Sequence, residues 1–153
     1  MPERMTPKEF LQQYRDANDA INAKLDQIHR LRDLATKTTQ TLSGTQVKSS
    51  GSQDKLAAIV EKIVDMETEV DDAIDDLQKT KRQVETAITE VPNVKQRAVL
   101  MRRYINGDPW PRICTAIFGN RTDFQDRYDS YLRTIYRWHG YALKNIGNVI
   151  DCH

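Results

Sequence analysis

The chain has 153 residues, 23 Lys and Arg against 22 Asp and Glu, and 39% apolar residues. That length suits one or two small domains, and no run approaches the roughly 18–20 apolar residues of a bilayer-spanning helix, which argues against a membrane protein. The near-zero total hides an asymmetry: residues 1–94 carry 13 basic and 17 acidic side chains and two of the 11 aromatics, whereas 95–153 carry 10 basic and five acidic ones and the other nine aromatics. An acidic arm joined at Pro92 to a basic, aromatic-rich module suits a nucleic-acid binder that has an oligomerisation or partner arm. The opening MPERMTPKEF lacks the basic-then-apolar pattern of a secretory signal, and Cys114 and Cys152 make no disulfide framework, so a reduced cytoplasmic setting is expected.

In chain order, Thr6-Pro7-Lys8-Glu9 combines a capping box with proline at the first helical position, and predicts a helix from about residue 7. Its apolar residues follow a 4-3 spacing through Phe10, Tyr14, Ala17, Ile21, Ile28, Leu31 and Ala35, with Lys24 the one polar interruption. Leu11, Leu25 and Leu34 widen that stripe. Residues 36–53, TKTTQTLSGTQVKSSGSQ, have no apolar period and read as a long flexible loop. From about Asp54 a stricter heptad begins. One seam position carries Leu56, Ile63, Val70, Leu77, Val84 and Val91, and the other carries Ile59, Met66, Ala73, Thr80 and Ala87.

Pro92 ends this second helix, which at 1.5 Å per residue would be roughly 55 Å long and would pair antiparallel with the first. The heptad leaves open whether the seam closes within one chain, between chains, or both. The acidic run Glu61 to Asp76 includes i,i+4 pairs, Asp71 with Asp75 and Asp72 with Asp76, but no histidine lies near, and solvated charge on an outer coiled-coil face accounts for it.

After Pro92, VKQRAVLMRRYI reads as a helix with Val94, Ala98, Met101 and Ile105 on one face and Gly107 as its stop. Asp108-Pro109 reads as an N-cap with proline at the first position of a second helix, PWPRICTAIF, which ends at Gly119. The last helix, about Ser130 to Ile146, turns Ile135, Trp138, Ala142 and Ile146 inward. Helix, glycine turn, short helix, turn, basic helix is the organisation of a helix-turn-helix unit, in which the last helix enters the major groove. On that reading Arg133, Thr134, Tyr136 and Arg137 face bases or the groove, and Arg112, Arg121 and Lys144 contact phosphates. Trp110, Trp138 and His139 are expected to pack.

RAVLMRRYINGDPWPRICTAIFG, followed by IYRWHGYALKNI, resembles region 4 of bacterial sigma factors. The matching residues are Leu100, Arg103-Tyr104, Gly107, Trp110, Ile113, Gly119 and Ala142-Leu143-Lys144, about a third of the chain. Over nearly its whole length the chain is similar to a family of small phage and prophage proteins in which a helical segment precedes a sigma-region-4-like end. The resemblance implies a regulator of phage late-gene type in a bacterial host, with double-stranded DNA as ligand and RNA polymerase as a further partner. One departure stands out: NRTDFQDRYD at 120–129 lies where sigma-like modules have a tight turn, and it brings Asp123, Asp126 and Asp129 near the basic helix.

The expected fold is therefore all-α: an antiparallel coiled-coil hairpin over 1–91 and a helix-turn-helix bundle over 92–153. The expected function is sequence-specific DNA binding by a transcription regulator, with the hairpin serving self-association or a partner. The rivals are a DNA-packaging subunit of small-terminase type and a helical adaptor that binds no DNA. No phosphate loop, dinucleotide loop, nucleophile elbow or histidine–carboxylate cluster is present, so neither an enzyme nor a cofactor is expected. Cys152-His153 has no second ligand pair at metal-site spacing.

Overall fold

The computed structural model describes residues 4–44 and 50–151. Among these the protein is all-α, with no strand: α1 (Pro7–Gly44), α2 (Ser50–Thr89), α3 (Val94–Leu100) running into a π-helical stretch (Met101–Ile105), α4 (Trp110–Phe118) and α5 (Tyr128–Asp151). No helix of the described residues is long and apolar enough to cross a membrane.

The start of α1 follows its sequence signal. Glu9 N–H donates to Thr6 Oγ1 at 3.2 Å, and the Glu9 carboxylate accepts from Thr6 N–H at 3.1 Å, which satisfies two donors that a helix start leaves orphaned. The loop expected over 36–53 is corrected. Residues 36–44 continue α1, α2 has begun by Ser50, and only 45–49 of that span lie outside the described residues. Thr36, Thr38, Thr39 and Thr41 each donate a side-chain hydrogen bond to the carbonyl four residues earlier, at 2.8–3.0 Å, so this polar segment completes its hydrogen bonding within the helix.

Packing divides the chain into two compact units, one of Ala17–Leu77 and the other of the residues up to Asp16 together with Gln78 onward. Both points of this division lie within the long helices, α1 and α2. Within Ala17–Leu77, side chains of α1 and α2 pair with one another. Ala17 and Ile21 line one surface hollow together with Ala73 and Leu77, Ile28 lines another with Val70, and Leu31 a third with Met66. Ile21, Ile28, Ile59, Val70 and Leu77 are buried there, each a heptad or 4-3 position. Lys24 keeps its place in the stripe by reaching Glu69, with Nζ 3.6 Å from Oε2, and Arg32 pairs with Glu67. Leu25 and Leu34 do not widen the buried stripe: they stay 45% and 41% exposed.

The other unit holds two cores. In the first, Leu11 of α1 and Val84, Ala87, Ile88 and Val91 from the end of α2 enclose Leu100, Tyr104, Ala142 and Ile146. In the second, Val99, Ile113, Cys114, Phe118 and Ile135 pack with the aromatic residues around them. Pro92 lies in the short link after α2. There the Arg97 guanidinium donates to the Val91 and Pro92 carbonyls at 2.7 and 3.2 Å, and Asn93 Oδ1 accepts from Gln96 N–H to cap α3.

The buried face of α3 differs from the expected one. Val94 is 68% exposed, while Val99, Leu100 and Tyr104 are buried. Two causes act together. The helix is packed on both sides, Val99 to one core and Leu100 and Tyr104 to the other. The π turn, closed by Asn106 N–H on the Met101 carbonyl at 3.0 Å, takes in an extra residue and shifts the phase. Gly107, at φ 74°, supplies the left-handed residue that ends the stretch.

Candidate nucleic-acid interface

α5 is the spine of the C-terminal structure because it serves both cores. Ile135 enters one core, Ala142 and Ile146 enter the other, and all three are fully buried. A helix anchored at two levels presents its opposite face at a fixed rotation. At 100° per residue, Arg133, Arg137, Gly140 and Lys144 fall within about 60° of one another on that face, with Tyr136 and Tyr141 on its flanks. Tyr136 and Tyr141 are 46% and 52% exposed, and the face has no aliphatic side chain among its exposed residues.

Arg133 and Arg137 are exposed, one turn apart, and have no carboxylate within 4 Å among the described residues. Lys144 is also exposed, its ammonium 5.8 Å from the Tyr141 ring centre. Thr134 is half-buried and donates its hydroxyl to the Ser130 carbonyl at 3.0 Å, which leaves only acceptor capacity for a ligand. The structure thus brings Arg133, Tyr136, Arg137 and Lys144 onto one face. It does not join Thr134, Arg112 or Arg121 to it. Arg112 on α4 is engaged at 3.9 Å by Asp108, and Arg121, beyond α4, lies over the Phe118 ring at 6.0 Å.

A shelf of rings supports Tyr136. The Trp110 ring meets Tyr136 edge-on at 5.3 Å and His139 at 4.8 Å, and the Arg103 guanidinium lies 4.5 Å from the Trp110 centre. Trp138 packs at 5.4 Å from Phe118, with the Lys95 ammonium 5.1 Å from its ring. Asp108 is not the cap of α4. Pro109 holds that position, and the Asp108 carboxylate instead meets Arg102 at 3.7 Å as well as Arg112, tying the link before α4 to the helices on both sides. Tyr141 was not among the expected contacts; its place four residues beyond Arg137 was the signal available.

The 120–129 segment forms consecutive turns that run into α5, which starts at Tyr128 rather than Ser130. Aromatic packing holds it: Phe118 stacks on Tyr131 at 4.5 Å, and Phe124 lies 6.2 Å from Tyr131 and 5.6 Å from Tyr128. Asp123 is occupied internally, accepting from the Tyr131 hydroxyl at 2.6 Å and lying 3.7 Å from Arg127. That bond and burial raise the Tyr131 pKa. Asp129 is in the first turn of α5, where the helix dipole favours a carboxylate, and it marks the acidic end of the exposed face.

His139 Nε2 is 2.7 Å from the Tyr104 hydroxyl. Burial, followed by the charges of Lys8 and Arg103, pushes its pKa down from 6.5 to about 4, so the ring that shares this hydrogen bond is neutral. Burial likewise raises the Tyr104 pKa. The sign of the linkage is fixed by the depressed value. The unfolded chain binds the proton first, so this contribution is complete above pH 6.5 and is lost as pH falls toward 4. The loss is on the order of 2–3 kcal/mol. Denaturant titrations at pH 7 and pH 4.5 are expected to show it, and His139→Gln, which keeps an acceptor but does not titrate, is expected to remove that share of the difference. An unchanged difference in the variant would sink the assignment.

Among the described residues no group of three or more His, Cys, Asp or Glu side chains is placed to hold a metal ion, and the Cys152-His153 pair lies outside them. Comparison with family models, with curated proteins and with solved structures gives no match.

Proposed function

We propose that this protein is a sequence-specific DNA-binding regulator of transcription, of the phage and prophage kind that its sequence resembles. In this reading α4 and α5 act as the helix-turn-helix, with α5 as the groove-reading helix. The carrying observation is the exposed face of α5: Arg133, Arg137 and Lys144 stand without carboxylate partners among the described residues, interleaved with two exposed tyrosines. An unpaired cation set on a rigid helix is what phosphate attraction and base reading need. The side chains nearest the start of α5, Arg133 and Arg137, are those a recognition helix brings to base edges, and Lys144 follows the backbone.

The paired lengths of α1 and α2 are read as a coiled-coil hairpin for self-association or for a partner such as the host polymerase. Val60, Val64 and Ile74, exposed at 47%, 55% and 38%, support that role. The test is selection of bound duplexes from a random pool with the full chain at a stated salt concentration. A recovered motif whose enrichment depends on Arg133 and Arg137 is expected. Binding with no sequence preference, or no binding at low salt, would overturn the reading.

A further inference from the structure

Gly140 occupies the centre of the exposed face of α5, and nothing among the described residues accounts for it. A Cβ built there meets no atom within 4 Å, whereas at Gly147 of the same helix a Cβ would lie 3.3 Å from Pro7 Cγ. Gly147 is explained by that close approach. Gly140 has no such neighbour and no positive φ, yet it places the poorest helix former after proline in the middle of a 24-residue helix. Tyr136, Arg137 and Lys144, one turn away, and the adjacent Tyr141 are all exposed. The missing side chain leaves open space on a face that carries two exposed tyrosines and a cation one turn away on either side.

We infer that Gly140 is where a sugar–phosphate strand of duplex DNA passes closest to α5. The inference rests on the DNA-binding reading and adds a specific contact to it. Charge selects the occupant: the face carries three cations unpaired by carboxylates among the described residues and no exposed aliphatic side chain, so it suits a polyanion rather than an apolar helix. Spacing agrees. Gly140 lies about 10 Å along the axis beyond Arg133, so the strand crosses after the base-reading turns, as a recognition helix leaving the groove requires. A close backbone approach needs a residue without a Cβ, and Lys144 one turn further supplies a phosphate contact.

The experiment measures the full chain, Gly140→Ala, Gly140→Leu and Arg133→Ala by thermal melting and by titration of a fluorescent random-sequence duplex and of a selected duplex. Both glycine variants are expected to melt higher than the parent, because the space is open and the helix improves. Both are expected to bind DNA more weakly, Gly140→Leu by roughly tenfold or more and equally on both duplexes, since a backbone contact carries no sequence information. Wild-type affinity in Gly140→Leu, with Arg133→Ala still weakened, overturns the inference and leaves the DNA reading standing. A lowered melting temperature in the glycine variants, or a loss confined to the selected duplex, also overturns it. Failure of the parent chain to bind either duplex removes both.

Discussion

A fragment comprising residues 92–153 is expected not to fold. The core that would remain, Leu100, Tyr104, Ala142 and Ile146, is closed in the full chain by Leu11, Val84, Ala87, Ile88 and Val91, of which Leu11, Val84, Ile88 and Val91 are fully buried. Truncating one such side chain to alanine costs about 2–5 kcal/mol. Removing five contributors together exceeds the roughly 5–15 kcal/mol that holds a domain folded. Circular dichroism of the fragment should show partial helix without a cooperative thermal transition, and Ile88→Ala in the full chain should lower stability by about 2–4 kcal/mol. The complementary deletion behaves differently. Lys81 lies 5.9 Å from the Tyr14 ring, within three residues of the cut ends at Asp16 and Gln78, so a Gly/Ser linker is expected to be able to replace 17–77. That shortened chain should unfold cooperatively. A folded 92–153 fragment beside an unfolded shortened chain would show that the core is wrongly described.

These outcomes show what the sequence made legible and what it did not. The α2 heptad was readable because burial repeats at a fixed period: Ile59, Val70, Leu77, Val84, Ala87 and Val91 all sit where spacing put them and all are buried. The same period hid the division between units, since it runs unbroken through Leu77 and Val84, although one packs in the two-helix unit and the other under α5. Polar helix was not readable at all. Thr36 to Thr41 have no apolar face to betray them, and threonines bonded to helix carbonyls look in composition like a loop. Periodicity reports burial, and only through burial does it report helix. Across α3 the π turn broke the assumption of constant phase, which no local residue pattern announced.

On the candidate interface, the outward placement of Arg133, Tyr136, Arg137 and Lys144 was legible because Ile135, Trp138, Ala142 and Ile146 fix the opposite face of α5. The engagements of Arg112 and Arg103 were not. Asp108 reads as a cap from sequence, whereas in the structure Pro109 is the cap and the Asp108 carboxylate pairs with Arg112 four residues on. Likewise, the stacking of Arg103 on Trp110 depends on where the π turn points that side chain.

Replacing Arg133 and Arg137 together by alanine should reduce DNA affinity to the level of non-specific binding while leaving the fold intact. Each replacement alone should cost about 1–3 kcal/mol on the selected site, roughly five- to 150-fold, if the guanidinium reads base edges. The two lie one turn apart and share a stretch of groove, so their effects need not add. Stability should change by less than about 0.5 kcal/mol, because both are exposed, have no carboxylate partner among the described residues, and give way to a better helix former. Salt separates base reading from mere attraction. Loss of a phosphate contact lowers the slope of log affinity against log salt by about 1 and weakens all sequences alike, whereas loss of a base contact relaxes preference at one position. Lys144→Ala is expected to behave in the first way and Arg133→Ala in the second. Arg112→Ala is expected to do little, because Asp108 already engages that guanidinium. If Arg133→Ala changes only the salt slope, α5 attracts DNA through its charge without reading it, and the sequence-specific regulator gives way to a non-specific binder.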